Sequence, residues 1–113
     1  MNIPHKIKIK KSVYYLVAYV PKFEDPNQLG ECINKHNPNG SRMILLKSGM
    51  SKREERHIFV HELLHAIEFE YGISIPHNVI YALQEPLAEV LLMNPSAFVK
   101  AVRRTAKKKA RRR

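Results

Sequence analysis

The chain has a single cysteine, Cys32, among its 113 residues. That excludes an intrachain disulfide and fits a reducing compartment, so a cytoplasmic location is expected. Long apolar runs are also missing. No segment approaches the length of a membrane span, and no membrane partner is expected. The first residues, MNIPHKIKIKK, lack an apolar stretch leading to a small-residue cleavage site, so no signal peptide is expected. No internal repeat is visible. Acidic side chains vanish at one end: residues 100–113 hold nine Lys/Arg and no Asp or Glu.

These absences bound the answer. The length suits one domain with one modest core and little to spare. The net charge of +10 belongs to the C-terminal end, because positions 1–99 carry eleven basic against ten acidic residues. The sequence thus divides into a domain over 1–99 and a basic tail over 100–113. Arg103, Arg104, Lys107, Lys108, Lys109, Arg111, Arg112 and Arg113 in that tail suit a phosphate-rich partner, since binding would release condensed counterions. A solvated, solubilising end is the plainer alternative.

KIKIKK and VYYLVAYV read as two strands paired across Lys10, Lys11 and Ser12. Residues 21–30, with two prolines and a glycine, read as a loop. GECINKH and SRMILLKS flank NPNG, a hairpin signal. An antiparallel sheet of three or four short strands is expected. Ser51 followed by Glu54 has capping-box spacing and opens a helix, which Gly72 closes after Tyr71. A second helix spans about 76–93 with Pro86 inside it, where a kink or a fresh start is expected. Asn94 and Pro95 begin a third, increasingly basic helix that frays after Arg104.

Within the first helix stands HELLH, residues 61–65. Residues four apart lie one turn apart on nearly the same face, so His61 and His65 can both aim a ring nitrogen at one zinc ion. In this motif the intervening glutamate, here Glu62, reaches the water instead of the metal and serves as general base. The segment is unusually apolar, where two imidazoles and an acid are costly without partners. A catalytic zinc requires a third protein ligand. His77, Tyr81, Glu85 and Glu89 follow one another at spacings of four on the second helix. They form one polar stripe beside an apolar face of Val79, Ile80, Leu83, Leu87, Val90 and Leu91. Glu85 is the first choice of ligand, Glu89 the alternative and His77 the outsider. Glu89 could instead steady a zinc-bound histidine. Tyr81 or His77 could stabilise an oxyanion. His57, a turn before His61, is expected at the surface. Cys32 reads as a small buried apolar residue.

HELLH, nineteen further residues and Glu85 together resemble the gluzincin metallopeptidases, whose signature is HExxH with a later helical glutamate. The compact plan is similar to the minigluzincins and to short phage and bacterial ImmA/IrrE-like zinc peptidases. The resemblance covers roughly residues 28–94. It implies an α+β, zincin-like fold: a small antiparallel sheet packed on an HExxH helix and a second ligand-bearing helix, followed by the basic C-terminal helix or tail. It also implies zinc held by His61, His65 and Glu85, Glu62 as the base, Glu89 behind a zinc histidine, and peptide or protein substrates. SRMILLKS resembles the strand that lines the cleft in such enzymes, against whose edge a peptide could pair. The basic tail sets a nucleic-acid-associated protein on an inactive zinc scaffold beside that reading.

Overall fold

The computed structural model describes residues 3–34 and 42–94. Four strands, β1 (Lys6–Lys10), β2 (Val13–Val20), β3 (Gly30–Asn34) and β4 (Arg42–Lys47), precede two helices, α1 (Lys52–Tyr71) and α2 (His77–Met93). The protein is α+β. The expected turn at NPNG, the third helix and the basic tail lie outside the described residues.

The two predicted strand pairs form. β1 and β2 pair antiparallel through a tight connection in which Ser12 takes a left-handed φ of 63°. β3 and β4 pair antiparallel from Gly30↔Leu46 to Asn34↔Arg42. The sheet as a whole is mixed, which corrects the all-antiparallel expectation. Its order is β1-β2-β4-β3, and β2 runs parallel to β4. After β2 the chain passes beyond the neighbouring position and lays β3 down one strand further out. β4 then returns into the gap. Hairpin signals specify local pairs and carry no information about which pair edge meets which. One consequence bears on function: β4 is flanked on both sides, and β3 forms the sheet edge.

α1 starts and stops where its capping residues dictate. Ser51 Oγ accepts the Glu54 N–H at 3.1 Å, an interaction worth about 1 kcal/mol. Gly72 takes the left-handed conformation, φ 62°, and its N–H returns to the Glu68 carbonyl. Pro86 does not end α2, which runs unbroken through it. Ala82, whose carbonyl loses its donor to the proline, lies on the exposed side, where water can replace the bond.

α1 is the middle layer. One side packs Phe59 and Ala66 against Tyr15, Val17, Ile44 and Leu46 from the sheet. Its other side packs Val60 and Leu64 against Ile80 and Ala88 of α2. α2 rests on α1 and not on the sheet. The far end of α1 is tied to the sheet by polar bonds. The buried Tyr15 hydroxyl donates to Glu70 at 2.7 Å, and Arg42 pairs with the same carboxylate at 3.0 Å.

At the other end of the sheet, Gly30 lets β3 approach α1 closely. A Cβ there would meet Ile58 Cγ2 at 2.6 Å and Glu62 Oε2 at 3.0 Å. Gly30→Ala is therefore expected to destabilise the fold by about 1–3 kcal/mol, the usual range for overpacking. Urea unfolding monitored by circular dichroism measures it. A variant as stable as the parent would show that β3 can move away from the helix at no cost.

Candidate metal centre

The motif helix delivers its two histidines side by side. His61 Nε2 and His65 Nε2 are 3.3 Å apart, one helical turn separating their backbones. The short connection over 72–76 turns the chain back, so α2 runs antiparallel to α1 and its first residue arrives opposite this pair. His77 Nε2 lies 3.2 Å from His61 Nε2. One nitrogen from each of the three rings falls within 4.8 Å of the others, and this group could hold a metal ion.

The outer ring nitrogens decide what the inner ones can do. His65 Nδ1 lies 2.9 Å from Glu68 Oε1. A carboxylate only accepts, so Nδ1 carries the proton and Nε2 of neutral His65 is a bare lone pair. His61 Nδ1 donates in the same way to Gln84 Oε1 at 2.8 Å. Two bare nitrogens thus face each other across 3.3 Å. Their lone pairs repel unless a cation lies between them. Burial, reinforced by His65 and His77 and opposed by Gln84, holds His61 below the usual imidazole range and favours its neutral form. The 3.3 Å and 3.2 Å separations of His65 and His77 from His61 fit a small tetrahedral ion, since ligand nitrogens about 2.0–2.1 Å from zinc stand roughly 3.3 Å apart.

The sequence-predicted residues divide into two groups. His61, His65, His77 and Tyr81 come together, the Tyr81 ring lying 4.9 Å from that of His61 and 4.7 Å from that of His77. Glu85 and Glu89 do not join them. Glu85 is paired with Arg53 at 2.7 Å, with over half its side chain exposed. Glu89 is 3.0 Å from His57 Nε2 and 3.6 Å from Arg53. The antiparallel course explains this. Each further turn of α2 advances about 5.4 Å toward the start of α1, so residues two and three turns past His77 meet Arg53 and His57. His57 is correspondingly no surface residue, being largely covered and bonded to Glu89. Of the polar stripe, its first member rather than its third stands at the histidine pair. The tail residues from Arg103 to Arg113 lie outside the described residues.

Glu68 and Gln84 were not singled out in the sequence. Both had a signal: Glu68 is three residues after His65, and Gln84 is seven after His77, each on the ligand's own helical face. The Ile75 N–H first, and His65 next, hold the Glu68 carboxyl below the usual range despite some desolvation.

Glu62 points the other way, toward the sheet edge. It is buried, and burial, with Glu31 adding to it, pushes its pKa up to about 7. A cleft of about 340 Å³ opens beside it, lined by Gln28, Gly30, Glu31 and Cys32 from the β3 side and by His61, Glu62, His65 and Phe69 from α1. Burial pushes the Cys32 thiol up to about 12, so it stays protonated and unreactive at neutral pH.

A buried acid has a stability signature. In the unfolded chain Glu62 ionises near its ordinary value of 4.5, and in the folded chain near 7. Its folded pKa is raised, so nothing is lost below 4.5. Stability falls as pH rises between the two values and levels off above 7. In the metal-free chain, held in chelator, Glu62→Gln should therefore raise the melting temperature at pH 8 but change it little at pH 4.5. Parallel pH profiles for the two proteins would contradict the burial of the charge.

Comparison with known protein families, with curated proteins and with solved structures finds no match for the chain.

Proposed function

We propose that the protein is a zinc-dependent peptidase. The observation that carries this reading is the convergence of three imidazole nitrogens, two with their protons engaged elsewhere, one residue from a buried carboxyl at an open cleft. Imidazole donors suit zinc among the available divalent ions, and a three-histidine set leaves a position open for reaction. His61, His65 and His77 would hold the ion. Zinc, when bound, supplies a Lewis acid that polarises a carbonyl and makes a neighbouring water acidic.

The chain's own residues supply the rest. Glu62, with its pKa raised toward neutrality, is suited to take a proton from water and return it to the leaving amine. Tyr81, exposed and beside His61 and His77, has a phenol available to an oxyanion. A peptide substrate is supported by the β3 edge. It borders the same cleft, and Gly30 brings its backbone against Glu62 with no side chain between. An extended peptide adding to this edge, which has no partner strand among the described residues, would bring a scissile amide near the base. β4, the strand expected in that role, is an interior strand. A sheet, an HExxH helix and a ligand helix in succession fit a zincin-like plan.

Ligand variants test the site. Wild-type protein should bind about one zinc per chain by metal analysis. The His61→Ala/His65→Ala double variant should bind none. His77→Ala should weaken binding severely, whereas Glu85→Gln should retain it. If Glu85→Gln loses the metal and His77→Ala keeps it, the histidine assignment is wrong. Glu62→Gln should lower peptide cleavage by about 100-fold or more while leaving zinc bound. Cleavage undiminished in that variant would remove Glu62 from the chemistry.

A second partner is favoured by the nine Lys/Arg of residues 100–113. Nucleic acid bound there would be sensitive to salt and independent of Glu62. Deleting 100–113 should abolish such binding, and filter binding at two salt concentrations checks it. Binding that survives the deletion unchanged would place the contact elsewhere.

A further inference from the structure

We infer that Glu68 is a two-armed positioning residue that couples the ring of His65 to the segment delivering His77. The inference rests on the metal-site reading above for its functional meaning, but its geometry is independent of any metal.

One arm is the bond already described. Glu68 Oε1 accepts from His65 Nδ1 at 2.9 Å, fixing which nitrogen of that ring holds the proton. The second arm is the other oxygen of the same carboxylate. Glu68 Oε2 accepts the Ile75 backbone N–H at 2.8 Å. Ile75 lies in the connection between the helices, two residues before His77. Pro76, between them, accepts with its carbonyl from Val79 at 2.9 Å and Ile80 at 3.2 Å, so the first turn of α2 is built directly on this point. The Glu68 carbonyl meanwhile receives the Ile73 N–H that closes α1. Two successive features of the turn thus bond to one residue, the end of α1 and the path of the connection, and the start of α2 follows one residue later at Pro76.

The chemistry explains why a glutamate is required. Both arms end on an N–H donor, so both need an acceptor. A carboxylate has two acceptor oxygens. A glutamine has one and presents an NH₂ at the other position, so it can satisfy one arm only. An alanine satisfies neither. The ring arm orients a ligand and keeps its Nε2 bare, as carboxylate partners of metal histidines do. The backbone arm acts on a different ligand, at the far side of the site, through the chain. Gln84 has the first function for His61 without the second.

Two measurements on the full chain test this. The first uses metal-free protein and imidazole ¹⁵N NMR. In wild type, His65 should be protonated at Nδ1. In Glu68→Ala, at a temperature where circular dichroism shows the variant fully folded, its tautomer should shift toward Nε2–H while that of His61, held by Gln84, stays at Nδ1–H. The second is zinc affinity by competition with a chromophoric chelator. Glu68→Ala should weaken binding about 10–100-fold, the range for losing such a partner, and Glu68→Gln should fall between it and wild type. The near-isosteric Gln keeps the test valid should the Ala variant fold poorly.

If wild type binds zinc while Glu68→Gln and Glu68→Ala bind within about threefold of it, well under the loss expected for such a partner, the inference is overturned. An unchanged His65 tautomer in Glu68→Ala overturns the ring arm even where affinity falls. Should wild type bind no zinc while the tautomer responds as expected, the peptidase reading fails and the positioning role of Glu68 stands.

Discussion

Two imidazole lone pairs, turned toward each other 3.3 Å apart, set the terms for this molecule. With both rings neutral the arrangement is unfavourable by itself, because neither nitrogen then has a proton to offer the other. It persists because each ring is held from behind, His61 by Gln84 and His65 by Glu68. Such restraint makes sense when an ion occupies the space between. Folding then places the repulsion in advance, and binding relieves it. Metal affinity and fold stability are in that case one quantity measured two ways.

That constraint explains the layering. A helix covered on one side only would leave the histidines in water, where their rings would turn freely. α1 is covered on both sides, by the sheet and by α2. Its polar residues therefore sit in a narrow seam between two apolar contacts. His61 is 8% exposed and Glu62 7%, and the latter figure is what raises the acid toward neutrality. The two residues are adjacent in sequence and about 100° apart around the helix, so one faces α2 and the other the sheet edge. The histidine cluster and the buried carboxyl are separated by nothing more than helical geometry.

Much of this is legible in the sequence, and the remainder is illegible for definite reasons. Ser51 and Gly72 mark the ends of α1 because capping is local chemistry. The strand pairs are legible for the same reason. The insertion of β4 between β2 and β3 is not, since it joins segments more than twenty residues apart with no local turn to specify the pairing. The stripe His77, Tyr81, Glu85, Glu89 is visible as a stripe, but spacing alone ranks its members equally. What selects His77 is the connection. Five residues between the helices force an antiparallel return, which sets the first turn of α2 opposite the last turns of α1. A ligand glutamate eight residues further on would need α2 to be shifted by about 12 Å along its partner. The charges confirm the register independently: Arg53 takes Glu85, and His57 takes Glu89.

The same register gives the basic and acidic side chains of the two helices a role apart from chemistry. Arg53 is exposed, and its pair with Glu85 is a surface pair that contributes little to stability. His57 with Glu89 is better covered, and His57 first, followed by Arg53 and Arg56, lowers the Glu89 carboxyl below its usual range. These contacts act as a key for alignment. Sliding α2 by one turn would break both and would carry His77 away from His61. It would also separate Ile75 from the carboxylate of Glu68. The helix pair is thus pinned at both ends, by charge near the start of α1 and by a single glutamate near its close. The histidine cluster lies between the two pins.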